Sequence, residues 1–148
     1  MEQRQKPDTL VLPKSFGDGT LELEYRFIAS KEKDAKYQAK ILVRQVEGRG
    51  PHIFLGNDDA KIATSVTGSC EKDIEFAAVL ESDIKVEKVG DWNKLTITCK
   101  GSSITTHLNG KLAYIQELEQ IAPNGALCLQ SFGSEIEFRD LKWTPLGK

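Results

Sequence analysis

Residues 90–110 read GDWNKLTITCKGSSITTHLNG, and this stretch decides the fold. Leu95, Ile97 and Cys99 alternate with polar residues, and Ile104, Thr106 and Leu108 form a second alternating run. A period of two marks strands with one buried face. The Gly-containing link Lys100-Gly101-Ser102-Ser103 predicts a hairpin between the two runs. Asn109-Gly110 predicts a second turn, because both residues tolerate positive φ. Lys111–Ile115 then continues as a short strand.

Working outward, similar signals recur on both sides. In 20–29 (TLELEYRFIA), Leu21, Leu23, Tyr25, Phe27 and Ala29 share one face, while Glu22, Glu24, Arg26 and Ile28 share the other. Residues 37–46, 52–55, 61–67 and 126–131 also read as strands. The stretch 75–80 reads as a strand or one helical turn, and 117–120 as exposed loop or a brief helix. In 135–143, Ile136 and Phe138 are out of phase with Leu141 and Trp143. One extra residue near Arg139-Asp140 restores the phase, which predicts a β-bulge. Many short strands separated by turn signals predict an all-β, antiparallel two-sheet sandwich or jelly roll.

The chain has 148 residues, enough for one domain with a substantial core, and residues 1–14 read as a tail or edge strand. A net charge of −2 offers no basic stripe for nucleic acid. No apolar run approaches the roughly 20 residues of a membrane span. The start, MEQRQKPDTLVLPK, shows no apolar signal-peptide core. An exposed edge strand could pair with a second copy and give a homo-oligomer. Cys70, Cys99 and Cys128 have no CxxC spacing. Cys99 and Cys128 read as residues of two strands, and a Cys99–Cys128 disulfide is the alternative.

The stretches GDWNKLTITCKGSSITTHLNGKLA and GALCLQSFGSEIEFRDLKWTPL resemble the 3-keto-disaccharide hydrolase domain family. The family's G-E-W-N reads Gly90-Asp91-Trp92-Asn93 here, its L-N-G reads Leu108-Asn109-Gly110, its G-x-I-x-L-Q-x-H-G runs from Gly125 to Gly133, and its terminal F-R strand from Ile136 to Leu146. Glu24-Tyr25-Arg26 and the strand ending at Arg44 look like the family's E-[FY]-R and N-S-G-x-x-x-R strands. The family resemblance implies a concanavalin A-like jelly roll, a carbohydrate partner, and an extracellular or periplasmic (secreted) location. Three family elements are replaced. H-G is Phe132-Gly133, N-S-G is Gln38-Ala39-Lys40, and Y-E-V-Q falls near Pro51-His52-Ile53-Phe54.

The activity that the resemblance implies is cleavage of 3-keto-glycosides. The ketone acidifies the C2 hydrogen, a base removes it, the glycosidic oxygen leaves from C1, and water adds. Such chemistry needs a base in reach and a positive group beside the enolate oxygen, a divalent metal or an Arg. Glu24 is the candidate base, with Arg26 or Arg44 as positive partner, and Gln130, His107 and Arg139 are candidate substrate contacts. Each has a plainer reading as well. Glu24 and Arg26 suit surface ion pairs. Arg44 suits a fork holding a carboxylate, His107 an ordinary surface histidine, and Arg139 an anchor for the last strand. His52 near Asn57-Asp58-Asp59 invites a metal reading, although a calcium site needs about six to eight oxygens. Trp92 and Trp143, at strand ends, suit core plugs better than sugar-stacking platforms. The alternative function is a glycan-binding or interaction module without catalysis, or a structural domain of a larger protein.

Overall fold

A computed structural model describes residues 8–31, 37–46, 51–57, 65–69, 74–77, 89–118, 123–131 and 135–146. Among them are eleven strands and no helix: β1 (Asp8–Phe16), β2 (Gly19–Phe27), β3 (Tyr37–Gln45), β4 (His52–Asn57), β5 (Ser65–Ser69), β6 (Ile74–Ala77), β7 (Asn93–Lys100), β8 (Ser103–Leu108), β9 (Lys111–Leu118), β10 (Gly125–Ser131) and β11 (Ile136–Pro145). They form a five-stranded sheet, β1-β10-β3-β4-β5, and a six-stranded sheet, β11-β2-β7-β8-β9-β6. Neighbouring strands pair antiparallel throughout. No helix among the described residues is long and apolar enough to cross a membrane.

The hairpin that decides the fold lies inside the six-stranded sheet. Cys99 pairs with Ile104 and Leu95 with Leu108 around the turn at Gly101, where φ is +57°. Leu95, Ile97, Cys99, Ile104 and Leu108 are all buried. β2 alternates buried and half-buried residues along its whole length, setting Leu21, Leu23, Tyr25 and Phe27 in the core. Ala39, Ile41, Val43, Ile53, Leu55, Leu127 and Leu129 of the five-stranded sheet complete that core. Each such side chain contributes about 1.5–3 kcal/mol on burial, so alternation alone pins the register of both sheets.

The bulge falls in β11, where the pairing with β2 slips between Arg139 and Lys142 and Asp140 takes φ +56°. The slip turns Trp143 inward, where it packs on the core and meets Phe16 edge-on at 5.0 Å. Leu141 does not follow it and stays exposed. Other expectations change at strand ends. β2 stops at Phe27, so Ala29 is exposed rather than core. Residues 74–77 form a strand, not a helical turn, and Glu117-Leu118 extend β9 rather than a loop or helix. Cys99 and Cys128 are unbridged. Cys99 faces the core from the six-stranded sheet, whereas Cys128 alternates with the core residues Leu127 and Leu129 of the other sheet. Cys70 and the Asp58-Asp59 turn lie outside the described residues.

Gly125 opens β10 against the end of β3. A Cβ there would stand 2.6 Å from the Arg44 carbonyl carbon and 2.7 Å from the Gln45 oxygen, so only glycine allows the approach. The β10–β3 register shifts at this point, between Ala126 and Cys128, and Arg44 takes φ +52°.

Thr106 is fully buried, and its hydroxyl has no hydrogen-bond partner among the described residues. A desolvated hydroxyl of this kind costs about 1–3 kcal/mol. Thr106→Val keeps the shape and removes the polar atom, so urea unfolding should show stability unchanged or raised by about 1 kcal/mol.

Candidate functional site

The sequence candidates do not converge on one groove. Glu24, Arg26, Arg139 and His107 belong to the outer face of the six-stranded sheet, because each alternates with core residues or pairs across β2. Gln130 lies on the outer face of the five-stranded sheet, between the buried residues Leu129 and Ser131. Arg44 is buried at the junction of the two sheets. The core separates the first group from Gln130.

On the six-stranded face the charges pair across β2 and β11. Arg139 donates from Nε to Glu24 Oε1 at 2.6 Å, and Arg26 donates to Glu137 Oε1 at 2.7–2.8 Å. The pairs follow from register, since Arg139 is opposite Glu24 and Glu137 opposite Arg26. Trp92 lies under both cations, with the Arg139 guanidinium 3.8 Å and the Arg26 guanidinium 4.7 Å from its ring centre. Trp92 is half-buried and outside the core, so it is no core plug. It stands one residue before β7, in phase with the outward Lys94. His107, half-buried on β8, pairs with Thr96 and Leu112, away from this cluster.

Arg44 is held by partners from two turns. Nε donates to the Gly17 carbonyl at 3.3 Å, Nη1 to the Gly101 carbonyl at 3.0 Å, and Nη2 to Asp18 Oδ1 at 2.8 Å. The Gly101 N–H donates to the same carboxylate oxygen at 3.0 Å. The guanidinium side chain is 1 % exposed. This is the carboxylate-holding fork, closed over its own turns. Beside it, burial pushes the Cys99 thiol up to about 11, against the opposing pull of Arg44.

On the five-stranded face the register sets two rows side by side. One runs Val11, Cys128, Leu42, His52, Ser69, and the other Thr9, Gln130, Lys40, Phe54, Thr67. Lys40, Leu42 and Gln130 are half-buried. They alternate with the core residues Ala39, Ile41, Val43 and Leu129, so their side chains face outward. Neither row, nor the partial row of Gln38, Gly56 and Ser65, contains Asp or Glu.

The sequence reading missed a pair of asparagines. Asn109, at φ +52°, accepts the Lys94 N–H on Oδ1 at 2.8 Å and donates from Nδ2 to the buried Asn93 at 2.9 Å. The W-N and L-N-G signals thus mark two halves of one structural lock.

A family model for the 3-keto-alpha-glucoside-1,2-lyase-like domain matches residues 1–144. The chain belongs to this family. Among curated proteins the sequence finds no match. Among solved structures, it is similar to a glycosyl-hydrolase candidate from Parabacteroides distasonis (18% identity, 95% of this chain and 84% of that one, TM-score 0.66). It is similar also to the carbohydrate-binding module CBM66 from Bacillus subtilis (13% identity, 97% and 84%, TM-score 0.64). A third is CG-16, a homodimeric agglutinin from chicken liver (9% identity, 93% and 100%, TM-score 0.65). These likenesses establish the jelly-roll sandwich.

Within the family frame, the L-Q, N-S-G-x-x-x-R and Y-E-V-Q segments fall on β10, β3 and β4, which are neighbours. The replacements noted in the sequence therefore concentrate in one part of the five-stranded sheet, apart from Phe132-Gly133, which lies outside the described residues. Among the described residues, no three His, Cys, Asp or Glu side chains are grouped to hold a metal ion. The His52 side chain and Asp58-Asp59 lie outside this description.

Two substitutions test these placements. Arg44→Lys keeps the charge but loses the planar fork. Guanidinium unfolding should show a loss of about 2–3 kcal/mol. Trp92→Ala should cost about 1–2 kcal/mol, the worth of two partly exposed cation–π contacts. A core Trp would cost about 3–5 kcal/mol, and a loss of that size would contradict the half-buried placement.

Proposed function

We propose that this domain binds carbohydrate across the outer face of β10, β3 and β4 and does not cleave it. The observation that carries this reading is where the family's polar pattern has been kept and where it has been lost. Gln130 of the L-Q element remains and stands opposite Lys40. The Glu and Gln of Y-E-V-Q are gone from the adjoining strand, and no carboxylate occupies the described rows of this face. Proton abstraction from C2 needs a base within hydrogen-bond reach. Glu24 lies on the opposite face of the sandwich, held by Arg139.

What remains suits recognition. Leu42, half-buried, supplies apolar surface beside the strand positions of Gln130 and Lys40. Binding sites for small polar ligands combine apolar lining with a few placed polar groups. Family membership and the similarity to a carbohydrate-binding module support the same class of ligand.

A second reading, elimination from a 3-keto-glycoside, is favoured by the family match alone. It would use Glu24 as base and Arg26 as positive partner on the six-stranded face. Incubation with a 3-keto-glucoside separates the two readings. The binding reading expects no release of the leaving alcohol, together with retention of glycans on an array. Gln130→Ala should weaken that retention about tenfold, the worth of one good hydrogen bond, with an unchanged melting temperature. Alcohol release that Glu24→Gln abolishes would establish the second reading instead.

A further inference from the structure

We infer that Asn109 is a deamidation site, kept closed in the folded chain by its hold on Asn93 and Lys94. Asparagine belongs to the thermolabile side chains. In an Asn-Gly pair the glycine nitrogen attacks the asparagine Cγ. That nitrogen gives up its proton, the side-chain nitrogen leaves as ammonia, and a five-membered imide forms. Water then opens the imide at either carbonyl, giving aspartate or isoaspartate. The sum is amide plus water to acid plus ammonia. Asn109 is half-buried and Gly110 exposed, so water reaches the turn. Glycine presents the least hindered nitrogen, and a Cβ at Gly110 would meet nothing within 4 Å beyond its chain neighbours.

The folded geometry opposes that attack. Asn109 Oδ1 accepts the Lys94 N–H at 2.8 Å, and Nδ2 donates to Asn93 Oδ1 at 2.9 Å. The Asn109 N–H donates to the Lys94 carbonyl at 2.8 Å, so backbone and carboxamide are tied to the same end of β7. Attack makes Cγ tetrahedral and moves both Oδ1 and Nδ2 off their partners, so ring closure sacrifices both bonds. Asn93 is 2 % exposed, and a hydrogen bond in such low-dielectric surroundings is stronger than one in water. Register brings the two asparagines together. Leu95 pairs with Leu108, and the two-residue turn returns the chain from Leu108 to Lys111. The products do not fit the hold. Aspartate sets an oxygen against Asn93 Oδ1, where a donor stood. Isoaspartate adds a methylene to the main chain of a turn whose length fixes the β8–β9 register.

The test is peptide mapping by mass spectrometry of the full chain during incubation at mildly alkaline pH, following conversion of the Asn109 peptide to its acid. In urea the conversion should run at least about tenfold faster than in the folded chain, the factor that one lost hydrogen bond supplies. That comparison needs no variant. Asn93→Ala should recover most of the factor without denaturant, with circular dichroism still showing the folded sheets. Leu127→Ala truncates the core from the other sheet and controls for lost stability. It should keep the slow rate, because local opening of the turn rather than global unfolding admits the attack. Asn109→Asp should lower the melting temperature. No conversion in urea overturns the site itself, and equal rates in the folded and unfolded chain overturn its closure by the fold. An Asn93→Ala rate as slow as wild type, or a Leu127→Ala rate as fast as Asn93→Ala, overturns the guarding role of Asn93. An unchanged melting temperature for Asn109→Asp overturns the misfit of the product.

Discussion

A buried guanidinium ties the two sheets together. Arg44 leaves β3, in the five-stranded sheet, and donates to the β1–β2 turn, which joins the two sheets, and to the β7–β8 turn of the six-stranded sheet. Burying a charge without a partner costs several kcal/mol, so the fork is tolerable only because Asp18 and two carbonyls receive it. Asp18 in turn accepts the Gly101 N–H, which fixes the hairpin turn against the same centre. The geometry carries a backbone requirement. Arg44 sits at φ +52°, a conformation uncommon for a non-glycine residue, and Gly125 gives the bulged strand room. The clamp thus fixes the register at which β10 meets β3, and with it the Lys40–Gln130 pair. It also withdraws Arg44 from solution, so an arginine that motif matching suggests for chemistry serves the framework.

The two outer faces use charge differently. On the six-stranded face, cation and carboxylate alternate across β2 and β11, and two guanidinium groups cover Trp92. Exposed ion pairs are individually worth about 0–1 kcal/mol. Their joint placement over one indole gives the C-terminal strand a shared hold that separate pairs would lack. The bulge contributes by shifting phase between Arg139 and Trp143, so that one residue reaches outward to Glu24 while the other packs inward. The five-stranded face has no such lattice of opposite charges among its described rows. Lys40 and Gln130 stand there beside Leu42 and Cys128 on the neighbouring row.

Alternation made most of the sandwich legible in the sequence, because a strand with one buried face must repeat with a period of two. The bulge was legible for the same reason, as a phase slip between Phe138 and Trp143. The site was less legible. Alternation separates core from surface but does not say to which sheet a surface residue belongs. Glu24 and Gln130 both read as outward, and only the strand order places them on opposite faces. The fate of Arg44 depended on a positive φ and on contacts with residues 26 to 57 positions away, which no local pattern reports. Trp92 misled because a Trp at a strand start usually fills a core, whereas here the phase of β7 turns it outward.

The residues that carried the family resemblance divide by what they do. Asn93 and Asn109 lock each other, Gly101 closes the hairpin on Asp18, Gly125 admits the bulge, and Trp143 covers the edge of the core. Each of these contacts is internal to the sandwich. The outward positions on β10, β3 and β4 lie outside this framework. A chain can therefore match its family along nearly its whole length through residues that hold the framework. The same jelly roll can hold a lyase or a lectin because the scaffold constrains the core and the turns, and leaves the chemistry of one sheet face open.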